Sequence, residues 1–268
     1  MNERVVRAGF TGLVALTLLF VTLPSVVVLI TAFNEKALLM FPPEGFSTKW
    51  FVKAWNYDDF RSGFRNGLIV TAWASSIALV LGTMAAFVIE RFEFRGKRLL
   101  ETLLVSPLVI PHFTLGIGFL ILASGVSMSR TWSVVVLCHV VLVLPFVMRS
   151  VYVSLKNIDP MLERAAVSLG ARPLQVFLRI DLPLLVPGLA GGWLFAAILS
   201  FNEFTATLFV TGQRTQTLPV AMYTYVREYA DPTMAALSTM LIGTTALLLV
   251  VANRFLGLDR ILSIQAGR

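Results

Sequence analysis

The chain is 268 residues long, 57% hydrophobic and only 14% charged, against about 25% charged in an average soluble protein. That composition excludes an ordinary soluble domain, a disordered tail and a fibrous repeat, and the single cysteine, Cys138, excludes a disulfide framework or a multi-cysteine metal site. The formal net charge of +7 would suit nucleic acid or anionic lipid, but the charges sit at the ends of long apolar blocks, which selects an integral membrane protein with no nucleic-acid partner.

A helix needs roughly 20 apolar residues to cross about 30 Å of hydrocarbon. Charge-free blocks of that order lie between Arg7 and Glu35, Arg65 and Glu90, Glu101 and Arg130, Arg130 and Arg149, Asp181 and Glu203, and Asp231 and Arg254. They predict an all-α polytopic membrane protein, one domain over 1–268, with six spans at about 9–33, 66–89, 102–123, 131–151, 184–205 and 233–253. The first span has an apolar region longer than the about 7–15 residues of a signal-peptide core, and no small-residue cleavage site follows it. It reads as retained.

Residues 34–65 form a loop rich in aromatic and charged residues, among them Phe46, Trp50, Phe51, Trp55, Tyr57 and Phe60. The spacing predicts a short amphipathic helix in an interfacial aromatic belt, with direct contact to a ligand as the alternative. Span three carries Pro107, Pro111, Gly116 and Gly118. Helix breakers survive in lipid where neighbouring helices or a cavity re-satisfy the freed backbone groups, so this stretch is expected to face the bundle interior. In span five, Gly191, Gly192, Ala196 and Ala197 offer a small-residue strip for close helix approach.

Orientation follows from the flanking basic residues. With the N-terminus inside, 14 of the 22 basic residues are cytoplasmic, including Arg91, Arg95, Lys97 and Arg98, then Arg149 to Arg179, and finally Arg254, Arg260 and Arg268. Both termini are therefore expected in the cytoplasm.

Residues 156–183, between spans four and five, are too charged to span and too periodic for a slack connection. Asp159-Pro160 starts a helix, because Asp accepts hydrogen bonds from free N–H groups and Pro fits the first turn. The helix should run to about Leu169, with Gly170 in a left-handed cap. Leu162, Ala165, Ala166 and Leu169 share one shallow face. A second short helix is expected near Pro173, with Pro183 opening span five. On these grounds the segment is either a docking device for another protein or an amphipathic stretch lying on the membrane surface.

The same residues resemble the cytoplasmic signature of binding-protein-dependent ABC importer permeases: Glu-Ala-Ala, three residues, Gly, nine residues, Ile, one residue, Leu-Pro. Here Arg164-Ala165-Ala166 is followed at that spacing by Gly170, Ile180 and Leu182-Pro183. The one departure is Arg164 where the signature has Glu, with Glu163 immediately before it. A wider resemblance, to the spermidine/putrescine-type permeases, rests on Pro107 to His112, Ser200-Phe201-Asn202-Glu203-Phe204, Phe209 to Gly212 and Thr217-Leu218-Pro219. Relatives of that subfamily carry other solutes, including phosphonates and ferric iron.

The resemblance implies a type I ABC importer permease fold in the bacterial inner membrane, with 156–183 as the segment that couples to a cytoplasmic ATPase dimer. It also implies a second, related permease subunit and an external solute-binding protein. It makes Glu163, Arg164, Ala165, Ala166, Gly170, Ile180, Leu182 and Pro183 the coupling residues.

The chain has no Gly-x-x-x-x-Gly-Lys-Ser/Thr loop to cradle a nucleotide phosphate, so ATP hydrolysis is left to a partner. Its two histidines, His112 and His139, do not form the His-Glu-x-x-His of a metalloprotease. No metal site, cofactor or catalytic residue is expected. Ionisable groups inside spans usually face the bundle or a wet cavity, which makes Asn202, Glu203, Thr205 and His112 the pathway candidates, with Thr207 on the same polar strip. His139 has less to recommend it. A secondary transporter or channel working without an ATPase is the alternative class.

Overall fold

A computed structural model describes residues 3–38 and 40–256. Among the described residues all regular structure is helical. The chain divides into two compact units, Met1–Arg61 with Met222–Val251, and Ser62–Ala221 with Ala252–Arg268.

In the first unit, α1 (Glu3–Thr31) is followed by a loop and the short helix α2 (Lys49–Asn56). Between Phe10 and Val26 the apolar side chains of α1 are bare, with Phe10, Leu16 and Phe20 more than 60% exposed, and only near its end does Val28 pack on other residues. A helix uncovered on all sides is stable in hydrocarbon and not in water. The 34–65 loop is only partly an aromatic belt. Trp50 is buried and its indole N–H donates to the Asn34 carbonyl at 2.6 Å. Phe33 stacks on Phe46 at 4.8 Å, and Phe60 is buried against Tyr57 and Tyr225. Phe46 and Trp55 stay exposed. Ala235 and Ala236 of α12 (Thr233–Leu256) complete this small core with Ala32 and Trp50.

The second unit is built on α6 (Trp132–Lys156), the most buried of the long helices. Against it lies α3 (Asp58–Arg91), whose buried Val70, Ala74, Ala78, Gly82 and Ala86 recur every fourth residue. That spacing lays small side chains in one row, the pattern close helix approach in lipid requires. A Cβ on Gly82 would stand 3.1 Å from the Met148 backbone nitrogen.

On α6 also packs α9 (Leu182–Asn202). The small-residue strip differs from the expected one: Gly188, Gly192, Ala196 and Ser200 are buried, with Gly188 and Gly192 facing Ser150. Gly191 points into open space. The buried strip advances by four residues along the helix, and adjacent glycines point about 100° apart.

Two predicted boundaries move. Span three is broken, into α4 (Lys97–Val105), a 3-10 turn at Ser106–Leu108 and α5 (His112–Gly125), bent by 104°. Pro111 lacks the N–H to continue the helix and disfavours helical geometry in the residue before it. Span five does not open at Pro183. One continuous helix of 30 residues runs Pro173–Asn202, through α8 (Pro173–Val176), a π-turn at Phe177–Asp181 and α9. The Leu182 N–H bonds to the Phe177 carbonyl, five residues back. This widened turn accommodates Pro183, which has no proton to donate.

Among the described residues four helices are long and apolar enough to cross a membrane, and the bent pair makes a fifth. Thr233–Leu247 is apolar but shorter, so the six-span count is compatible with the structure. The side chains of Arg4 and Arg254, and residues Arg260 and Arg268 altogether, lie outside what the structure describes.

Candidate functional site: a small cavity and an exposed interhelical segment

Two places in the second unit gather the sequence candidates. The first is the segment after α6. α7 (Pro160–Ser168) begins where the Asp159 carboxylate accepts the Met161 N–H at 2.9 Å. It ends as the spacing predicts, with Gly170 at φ +85°. Ala171 N–H bonds to Ala166 O at 3.0 Å and Gly170 N–H to Val167 O at 2.9 Å, the paired bonds of a Schellman motif. Only a residue without Cβ adopts that φ freely.

Glu163 turns inward and pairs with Arg91 at the end of α3. Asp181, in the π-turn, is also buried. Arg164 and Ala165 are exposed, Ala166 is half-buried, and Leu162 and Leu169 are bare at 48% and 90%. Ile180 and Leu182 are half-buried and Pro183 exposed. The docking face predicted from the sequence is therefore uncovered in the isolated chain.

The second place is a cavity of about 50 Å³ lined by His112, His139, Leu142, Phe146, Ser200 and Glu203, among others. The break at Pro111 puts His112 at the first turn of α5, and the end of α9 puts Glu203 opposite. His112 Nδ1 lies 2.8 Å from Glu203 Oε2, and Glu203 Oε1 accepts the Ala206 N–H at 2.8 Å. Deeper, His139 is fully packed, with Nδ1 2.8 Å from Ser200 Oγ and Nε2 2.9 Å from Thr207 Oγ1. A neutral imidazole satisfies both hydroxyls, donating through one nitrogen and accepting through the other. Thr207 belongs to α10 (Thr207–Val210), which packs on α5 and α6.

The structure thus joins His112 to Glu203 but does not bring Asn202 or Thr205 to the cavity. The Asn202 amide donates to Ile198 O at 2.8 Å and the side chain is exposed, as is Thr205. The helix stops at Asn202, so the expected polar strip has no common face. His139, the weaker of the two histidine candidates, holds three elements together. The available signal was an imidazole in the middle of an apolar span. Among the described residues no cluster of His, Cys, Asp and Glu could hold a metal ion.

Residues 78–258 match the family described as binding-protein-dependent transport system inner membrane component. The chain is 28% identical over 261 residues to the spermidine/putrescine transport system permease protein PotC of Escherichia coli (strain K12), covering 97% of each. It is 32% identical over 251 residues to the putrescine transport system permease protein PotI of the same organism, covering 91% of this chain and 86% of the relative. The fold is similar to a chain of a bacterial alginate ABC transporter solved in complex with an alginate pentasaccharide-bound periplasmic protein, at TM-score 0.74 and 16% identity, covering 95% and 96% of the two chains.

Proposed function

The chain belongs to the family of binding-protein-dependent transport system inner membrane components, and from that premise we propose that it is a permease subunit carrying a polyamine inward under ATP drive. It is a transport subunit rather than an enzyme, and a multi-pass protein of the bacterial inner membrane. Its partners in this reading are a pair of cytoplasmic ATPases, a second related permease and an external solute-binding protein. The termini and residues 156–183 face the cytoplasm, as the distribution of basic residues favours.

The observation that carries the solute class is the similarity to two permeases named for spermidine and putrescine, over nearly the whole chain. The chemistry of the cavity agrees with it. Glu203 follows the last residue of a 30-residue helix, at the end remote from the coupling segment. A carboxylate there attracts an ammonium group and repels an anion. His112 is its resting partner, which an arriving polyamine ammonium displaces from Glu203 Oε2.

Glu203→Gln keeps the shape and removes the charge. Uptake of labelled spermidine or putrescine should fall by about tenfold, the scale of one charge-assisted hydrogen bond. Assembly of the permease pair and solute affinity of the isolated binding protein should not change. Unaltered uptake would reduce Glu203 to a helix-end residue, and faster uptake of an anionic solute would reverse the assigned sign of the cargo.

A further inference from the structure

The charges of the 156–183 segment are sorted by exposure: its basic residues are all exposed, and two of its three acidic residues are not. Between 156 and 183 the acidic residues are Asp159, Glu163 and Asp181. Asp159 is committed to the first turn of α7 through Met161 N. Glu163 is paired with Arg91, both side chains less than a quarter exposed. Asp181 is only 2% exposed. The basic residues Lys156, Arg164, Arg172 and Arg179 are all exposed. Among the described residues no ion-pair partner is found for Arg164.

The cause is helical geometry. Successive residues on a helix point about 100° apart, so binding Glu163 inward against α3 swings Arg164 off that face and outward. It stands on another side of the helix from the shallow strip of Leu162, Ala165 and Leu169, about 100° from Ala165, so a groove that takes in the whole of α7 meets both. What α7 offers a groove that takes it in is therefore an apolar strip on one side and an exposed guanidinium on another, with the Glu163 carboxylate held against Arg91 and the exposed Asp159 carboxylate bonded to the first turn. A helix seated in lipid gains from bulky apolar groups on its buried face, but here Ala165, Ala166 and Gly170 interrupt the leucines. Small residues favour the close approach of another backbone.

We propose that the ATPase surface receiving α7 carries a carboxylate opposite Arg164, a contact of opposite sign to the one that an acidic residue at this signature position would make. A planar guanidinium and a carboxylate form two parallel hydrogen bonds, which fixes orientation as well as affinity. The Arg91–Glu163 pair is part of the device, because it holds the neighbouring carboxylate against α3 and leaves Arg164 as the exposed charge of the two adjacent residues. The proposal rests on the reading of 156–183 as the ATPase-coupling segment.

The test uses the assembled transporter extracted in mild detergent, with retained ATPase subunit as the readout. Arg164→Glu should weaken ATPase association by at least about tenfold, and Arg164→Lys should keep most of it. In the Arg164→Lys transporter, a carbodiimide should join the new amine to an Asp or Glu of the ATPase as an amide, and mass spectrometry identifies that residue. Reversing the identified residue to Arg should restore association to Arg164→Glu. Gly170→Leu, which strains the αL cap and burdens the docking face without touching charge, separates the two levels. If Gly170→Leu loses the ATPase while Arg164→Glu retains it and no cross-link forms, docking stands and the carboxylate falls. If neither variant loses it, both fall. If Arg164→Glu lowers only binding to phosphatidylglycerol vesicles, the face belongs to the membrane and the proposal is overturned.

Discussion

Asp231 shows how much one carboxylate organises at the mouth of a helix. It accepts the Lys53 ammonium at 2.6 Å, the Tyr225 hydroxyl at 3.0 Å and the Thr233 N–H at 3.0 Å. Burial raises its pKa, but these hydrogen bonds outweigh burial and hold it below the ordinary carboxylate value. The folded form therefore keeps its charge to lower pH than the unfolded chain does. The stabilisation is complete above the ordinary carboxylate range and is lost as pH falls through the depressed folded value. Asp231→Asn should cost about 1 kcal/mol at neutral pH and flatten the acid limb of thermal stability measured in detergent. An identical acid limb in the variant would assign it to other carboxylates.

At this scale the sequence was a partial guide. Glu203 and His112 were legible one at a time, because an ionisable group in an apolar block costs free energy wherever it lacks a partner. Their pairing was not, since it depends on a bend and a helix end 91 residues apart. His139 was undervalued for the same reason: both of its partners, Ser200 and Thr207, are ordinary hydroxyls far along the chain.

Among the elements, two glycines of α5 that look alike in sequence do different work. A Cβ on Gly116 would stand 2.6 Å from the Ala206 carbonyl oxygen and 2.8 Å from its Cα. Backbone cannot move aside as a flexible side chain can. Gly118 has nothing within 4 Å. Gly116→Ala should push α5 and α10 apart and cost about 1–3 kcal/mol. Gly118→Ala should be neutral or stabilise by about 0.5–1 kcal/mol, because it removes backbone freedom from a helix interior. Melting temperatures in detergent check both, and equal values for the two variants would refute the close approach at Gly116.

The capped helix α7 was the element read most closely from sequence, since Asp159-Pro160 and Gly170 act through local geometry alone. The bend in span three and the join of α8 to α9 were less legible. Hydrophobic periodicity measures how apolar a stretch is and carries nothing about its direction. A proline marks where a helix can stop and does not say that a π-turn will carry the chain past it.

For the molecule as a whole, the charge-free blocks and the basic residues between them set the expected arrangement across the membrane. Lys97 and Arg172 should be inaccessible from outside the cell, and Lys49 to Trp55 accessible. Single cysteines at these positions, in a Cys138→Ser background, should react with a membrane-impermeant reagent on intact cells only in the 49–55 stretch. Labelling of position 172 from outside would invert the topology. Block lengths were enough for the class of molecule because hydrocarbon thickness is a fixed ruler. Division into two units was not visible, as no shift in composition marks residue 61 or 222.

The unbroken run from Pro173 to Asn202 also has a mechanical meaning. Thirty helical residues make a rod about 45 Å long, with Pro173, inside the 156–183 segment, at one end and Glu203 just past the other. Gly188, lodged against Ser150 and Ser154, sits near the middle, where a lever would have its fulcrum. From there to Glu203 is about 22 Å, so a tilt of about 5° swings the tip through roughly 2 Å. That stroke is enough to break the 2.8 Å contact between His112 and Glu203. Were the rod to tilt as one body, the angle at its first turn would decide whether the carboxylate just past its far end is engaged or free.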